Sequence, residues 1–242
     1  MKTVIITGAS SGIGEVTAKA MGKAGFNVVL AARSLEKLEK LKNELNSEGI
    51  KAIAVKTDVV NRSDMKSLAS AALNEYGSID VLVNNAGIMP LSFMKNLHHA
   101  EWDQMIDVNI KGVLNGIEAV LPTMMEKKSG HIINISSVAG VKVFPSSAVY
   151  SGTKWAVEAI TEGLRMELSN SFNLRTTVIR PGATESNLTS TITDAEVGAM
   201  FASMETVPIK AADIANAIVY AATQPENVNV NEILVRSTTQ IL

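Results

Sequence analysis

The sequence predicts an α/β fold, a doubly wound parallel sheet with helices on both faces. Two patterns carry the expectation. Short runs of β-branched and aliphatic residues recur along the chain, and each is followed by a longer amphipathic stretch of helical period. The runs mostly lack polar alternation, as strands buried on both faces of a parallel sheet do. At 242 residues, 46% of them hydrophobic, the chain can fill one such domain without a second core.

The elements follow in order. Thr3–Thr7 reads as the first strand and Gly14–Lys23 as its helix. Asn27–Ala32 precedes Leu35–Ser47, Lys51–Lys56 precedes Ser63–Tyr76, and Ile79–Asn84 precedes a long helical segment over Glu101–Lys127. Gly130–Ile135 leads to Val149–Phe172, Arg175–Arg180 to Ala211–Thr223, and Asn231–Val235 closes the sheet. Right-handed crossovers place the helices on both faces. The long excursion Gly182–Pro208 carries Leu188, Met200, Phe201 and Met204 among small and polar residues. A segment of that length suits a substrate lid at about 183–208, within a single domain spanning 1–242.

A net charge of -2 gives no reason to expect nucleic acid or an anionic membrane as partner. The absence of cysteine excludes disulfides and thiolate chemistry, and His98, His99 and His131 lack the spacing of metal ligands. The start lacks the pattern of a secretory signal and no apolar run approaches a membrane span, so a soluble, cytoplasmic protein is expected.

Ligands of such sheets sit beyond the carboxyl ends of the strands. There the first strand runs into Thr7-Gly8-Ala9-Ser10-Ser11-Gly12-Ile13-Gly14. Glycines allow the tight turn and the close approach of backbone N–H groups to a pyrophosphate, and a helix starting near Gly12 adds the positive end of its dipole. Gly8, Ser10, Ser11, Gly12, Ile13 and Gly14 are therefore candidate cofactor contacts. After the second strand, an NAD site wants a carboxylate for the ribose 2′-hydroxyl, and this chain has Ala31-Ala32-Arg33. A guanidinium can bind a 2′-phosphate bidentately, which points to NADP(H), although Arg33 can instead pair with Glu36. Asp58, with Val59 beside it, is a candidate acceptor for the adenine amino group. Asn85, Ala86 and Gly87 close the fourth strand beside the same crevice.

The chemistry is expected at Ser137, Tyr150 and Lys154. Tyr150 and Lys154 share one helix face, and a nearby ammonium should lower the phenol from its ordinary value of about 10. Tyr150 can then protonate an alkoxide formed by hydride addition, or take the alcohol proton in reverse. Ser137, at the end of the fifth strand, can hydrogen-bond the substrate oxygen. Asn109, inside the fourth helical segment, can interrupt the backbone ladder and hold a water for proton relay.

In combination these residues resemble the short-chain dehydrogenase/reductase family, in its compact single-domain branch. The resemblance runs through essentially the whole chain and implies a Rossmann-like sheet of strand order 3-2-1-4-5-6-7. It implies a catalytic tetrad of Asn109, Ser137, Tyr150 and Lys154, with Tyr150 and Lys154 also touching the cofactor. Pro181-Gly182 matches the family's Pro-Gly turn, after which Thr184 and Ser186 are expected near the nicotinamide carboxamide; Ser186 stands where threonine is usual. Homotetramers or homodimers through the long fourth and fifth helices are implied, as is a small-molecule carbonyl or alcohol substrate. Trp155 and the chain end Asn231–Thr238 are similar to the branch of NADP-dependent 3-hydroxy-acid dehydrogenases and clavaldehyde reductase. A 3-oxoacyl thioester reductase is the alternative enzyme, disfavoured by the missing Gly-Gly pair after the last strand. A nucleotide sensor that has lost catalysis is the alternative outside enzymes, disfavoured by a complete tetrad.

Overall fold

A computed structural model describes residues 1–203 and 206–240. Seven strands, β1 (Thr3–Thr7), β2 (Asn27–Ala32), β3 (Ala52–Lys56), β4 (Val81–Asn84), β5 (Gly130–Ile135), β6 (Leu174–Pro181) and β7 (Glu232–Val235), form one sheet. The order is β3-β2-β1-β4-β5-β6-β7 and every pairing is parallel. The helices are α1 (Gly12–Lys23), α2 (Leu35–Ser47), α3 (Arg62–Tyr76), α4 (His99–Ile106), α5 (Gly112–Lys127), α6 (Ala148–Phe172), α7 (Ala195–Ala202) and α8 (Ala211–Thr223).

Side-chain alternation along β1 divides the core. Val4 and Ile6 point to one face, where they meet Met21 of α1, Leu38 and Leu45 of α2 and Ile214 and Ile218 of α8. Ile5 points to the other, against Met65 and Leu68 of α3, Ile117 and Val120 of α5 and Val157 of α6. Both faces of β1 and β2 are fully covered, which explains why their sequences show no polar alternation. The edge strand β7 is only partly covered, so Glu232 and Leu234 stay exposed.

Most predicted boundaries coincide with the observed ones and the rest shift by one or two residues; the short 3-10 turns and α7 were not anticipated, nor was the form taken by the interruption at Asn109. The helical segment predicted over Glu101–Lys127 begins at His99 and is not uniform: between α4 and α5, Asp107–Lys111 is π-helical. The excursion after β6 contains a 3-10 turn at Thr189–Thr191 and helix α7, whose N-cap Asp194 accepts from the N–H groups of Glu196 and Val197. Val138–Gly140 forms a further 3-10 turn after β5. Among the described residues, no helix is long and apolar enough to cross a membrane.

The crossover from β3 to β4 passes over β2 and β1, so β1 and β4 become neighbours whose following connections leave on opposite faces. The crevice beyond their carboxyl ends is the switch point at which such sheets bind ligands.

Candidate active site

The glycine segment after β1 is shaped by close backbone approach. Gly8 has φ +68, and a Cβ there would lie 2.9 Å from both Ala86 Cα and Asn85 Nδ2. A Cβ on Gly14 would collide with the Gly8 carbonyl. Gly12, at φ +55, starts α1 and faces Ser186, whose Cβ would be 3.5 Å from an added Cβ. Ser11 is the N-cap of α1 but makes no side-chain capping bond, so the first N–H groups of the helix have no partner from their cap. An open helix N-terminus over a glycine floor fits a pyrophosphate. Ser10 and Ser11 are half-buried at the rim, and Ile13 turns inward onto the core.

Thr7, at the tip of β1, was not singled out in the sequence and proves central. Its hydroxyl accepts from the N–H groups of Asn85 (3.0 Å) and Ala86 (3.1 Å). Asn85 returns the contact, donating to the carbonyls of Thr7 (2.9 Å) and Gly8 (3.4 Å). The Asn85 side chain therefore braces the cradle.

Arg33 follows β2 on the surface and makes no ion pair, with Glu36 or any other carboxylate, among the described residues. Asp58 is half-buried; one carboxylate oxygen accepts from the Val60 N–H at 3.1 Å. Residues of α5 hold this loop. Asn115 donates to the carbonyls of Val59 (2.9 Å) and Val60 (3.1 Å), and Gly112 leaves the room that Val59 occupies. Neither Asn115 nor Gly112 carries a motif that would have marked it in the sequence.

Asn109, Ser137, Tyr150 and Lys154 converge beyond β4 and β5. Asn109 is buried in the π-helical segment, where its amide accepts from Ile88 N–H (2.9 Å) and donates to the Ile88 carbonyl (3.0 Å) and Thr153 hydroxyl (3.1 Å). The helix is thus displaced, as expected, but both Asn109 donors are spent on protein. Lys154 Nζ donates to the Ile135 carbonyl at 2.9 Å and lies 5.7 Å from the centre of the Tyr150 ring. Gly87 lies beneath: an added Cβ would be 3.3 Å from Asn109 Oδ1 and 3.7 Å from Lys154 Nζ. Ser137 is the N-cap of the turn after β5, accepting from Ala139 N–H at 3.1 Å.

The expected direction of the Tyr150 shift is corrected. Tyr150 is only 4% exposed, and burial pushes its phenol up to about 12, against the opposing hydrogen bond of Ser137. Burial also brings Lys154 down to about 8, against the opposing field of Glu158. Desolvation disfavours the charged form of both groups, and here it is the largest cause of each shift.

Pro181 ends β6, and the Gly182 N–H donates to the Val235 carbonyl of the neighbouring strand at 2.8 Å. A Cβ on Gly182 would collide with the Gln240 side chain, which accepts from Ala183 N–H at 2.9 Å. The Thr184 hydroxyl donates to the Gly182 carbonyl (2.9 Å), and the Ser186 hydroxyl accepts from Leu188 N–H (3.3 Å).

Beyond this turn the chain packs against the Tyr150 side chain. Leu188, Ile192, Val197, Met200 and Phe201 join Met89, Leu91, Met105 and Tyr150 in a separate apolar cluster with Phe144. Met89, Phe144 and Leu188 belong to it, whereas Val138 is half-buried and Pro145 and Lys142 are exposed. Met204 lies outside the described residues.

A nucleotide crevice at the switch point, opening onto a buried tyrosine and lysine one helical turn apart, defines an oxidoreductase of the short-chain type. Residues 2–197 match the family model described as short chain dehydrogenase, and the chain belongs to that family. It is 50% identical over 242 residues to an uncharacterized oxidoreductase of Staphylococcus saprophyticus, covering 100% of this chain and 98% of the relative. Among solved structures, the closed form of serine dehydrogenase complexed with NADP+ superposes with a TM-score of 0.90 at 32% identity, covering 98% of this chain and 96% of that one. A short-chain dehydrogenase/reductase from Burkholderia phymatum in complex with NAD gives 0.87 at 27% identity, covering 96% and 88%. The fold thus serves both cofactors, and the choice between them rests on individual residues.

Proposed function

We propose that the protein is an NADP(H)-dependent reductase that interconverts a carbonyl and an alcohol (CH–OH donor group), with Tyr150 as general acid and base. The observation that carries this reading is the convergence of Asn109, Ser137, Tyr150 and Lys154 beside the glycine cradle. Gly8 to Gly14 would hold the pyrophosphate, Asp58 and Val59 the adenine, and Gly87 with Thr184 and Ser186 the nicotinamide end. Arg33 supports NADP(H) over NAD(H): its guanidinium is exposed and unpaired among the described residues, at the strand end where a 2′-phosphate would lie.

When bound, NADPH supplies the hydride that adds to the carbonyl carbon. Tyr150 donates its proton to the carbonyl oxygen while the Ser137 hydroxyl holds that oxygen in place. A buried phenol pushed up to about 12 is neutral at physiological pH and has a proton to give. The Lys154 ammonium balances the phenolate left behind and holds the nicotinamide ribose. A water on the remaining Asn109 Oδ1 lone pair would return the proton from solvent.

The roof of Leu188, Met200 and Phe201 over Tyr150 supports two further readings: a substrate with an apolar body, and residues 183–208 as a lid within a single domain of 1–242. Homodimers or homotetramers through the long helices are supported by exposed Ile106 on α4, Leu114 on α5, and Trp155 and Met166 on α6. The deciding experiment follows NADPH oxidation against aldehydes, diketones and β-keto acids. Turnover with at least one class is the expected result. Tight NADPH binding without turnover on any would reject the enzyme in favour of a sensor.

A further inference from the structure

The excursion after β6 reaches the catalytic side of the cleft through a polar contact as well as apolar ones. Thr191, the last residue of the 3-10 turn Thr189–Thr191, is half-buried, and its hydroxyl accepts from the Met89 N–H at 3.1 Å. The same hydroxyl donates its single proton to the Leu188 carbonyl at 2.6 Å. With that proton committed inside the turn, only a lone pair is left to face Met89, so the polarity of the contact is fixed.

The partner segment is held from its other side by the catalytic machinery. Ile88 gives its N–H to Asn109 Oδ1 (2.9 Å), and its carbonyl accepts from Asn109 Nδ2 (3.0 Å). Met89 is the next residue; it is buried, and its side chain joins the apolar cluster of Tyr150, Leu188 and Phe201. Ile88 and Met89 are thus pinned between Asn109 on one side and Thr191 on the other. Other polar ties of the excursion lie farther along it. Asp194 accepts from Asn96 at 2.6 Å, Thr193 donates to Glu101, and Lys95 pairs with Glu196 at 3.1 Å. They join α7 and its N-cap to residues 94–101, which carry none of the tetrad.

We propose that Thr191 is a positioning residue for the substrate side of the cleft: its hydroxyl locks residues 183–208 onto Met89 and so sets the apolar wall beside Tyr150 in register with Asn109. The inference rests on the carbonyl-reductase reading above and on the lid it includes. Without the hydroxyl, the closed lid would leave the Met89 N–H unpaired, whereas the open lid gives it to water. The equilibrium then shifts toward open, and a substrate that needs the closed wall binds more weakly in proportion. Tyr150 and Lys154 stand on α6 and keep their places.

The test compares T191V, which keeps the shape and loses the hydroxyl, with T191S, which keeps the hydroxyl. Steady-state kinetics use the best substrate of the carbonyl panel, and amide hydrogen exchange at Met89 is read by NMR in the cofactor-free protein. In T191V, KM for the carbonyl should rise about 5- to 10-fold with kcat within about twofold of wild type, and Met89 exchange should accelerate about 10-fold. T191S should return both to within about twofold. A merely structural role would lower kcat through loss of folded enzyme and leave KM alone. Unchanged KM or unchanged Met89 exchange in T191V, or a T191S as impaired as T191V, overturns the proposal. Should the protein reduce no carbonyl, exchange decides: acceleration in T191V with rescue by T191S supports the Thr191–Met89 lock while the proposed function falls, and unaltered exchange overturns the lock as well.

Discussion

The two ends of the crevice are built from different materials. At the nucleotide end the shape is backbone: Gly8 and Gly14 admit contacts that a Cβ would block, Gly12 takes a positive φ, and Thr7 and Asn85 lace the loop to β4 through main-chain groups. At the catalytic end the shape is side chain: Tyr150, Lys154 and Asn109 are buried, and their chemistry depends on how much water the surrounding residues exclude. Backbone geometry is insensitive to pH and intolerant of added volume. Desolvated side chains tolerate some changes of shape and are governed by charge. Perturbation of each end should therefore fail in its own way.

The sharpest contrast comes from Tyr150→Phe, which removes one hydroxyl and no backbone contact. Turnover should drop by roughly 10³-fold or more while NADPH affinity, read by fluorescence titration, changes by less than about twofold. Retained activity would remove Tyr150 as the proton donor. At the other end, Gly14→Ala adds one methyl group against the Gly8 carbonyl. It should cost about 3 kcal/mol of stability or more, seen in chemical denaturation, together with most NADPH affinity. A well-folded G14A protein that binds normally would show the cradle to be looser than its geometry implies.

A third variant, Lys154→Met, separates charge from shape. Lys154 titrates near 8 in the folded protein against an ordinary 10.5, so the unfolded chain binds more protons between those values. Stability of the wild type relative to K154M should therefore rise as pH increases across that window, by about 3 kcal/mol in total. Denaturation midpoints at several pH values check this, and a flat difference would mean that the amine is solvated. The smallest expected effect is at Arg33→Asp, an exposed position that shapes neither end. It should move the ratio of kcat/KM for NADPH over NADH by about 10- to 100-fold toward NADH. Unchanged selectivity would place the 2′-phosphate elsewhere.

The comparison also explains which features could be read in advance. Glycines spaced after a strand, and a tyrosine and lysine one turn apart, are local in the chain, so Gly8 to Gly14, Tyr150 and Lys154 were visible at once. Thr7, Gly112 and Asn115 were not, because each acts on a segment far away in sequence and belongs to an ordinary residue type. The π-helical distortion at Asp107–Lys111 was anticipated only as an interruption at Asn109, since its form depends on Ile88 and Thr153 arriving from elsewhere.

Local periodicity by itself determined the seven strands, the helices of α1, α2, α3, α6 and α8, and the placement of the site at their carboxyl ends. Propensity and hydrophobic patterning act over a few residues and need no knowledge of the partner. Only the tertiary structure decided the protonation of the site. The sequence argued that Lys154 would lower the Tyr150 phenol, a pairwise expectation from two neighbours on a helix. Folding surrounds Tyr150 with Met89, Leu91, Met105 and Val197, from three other segments, and the loss of water pushes its phenol up. Desolvation is a property of everything packed around a group, and no spacing along the chain records it.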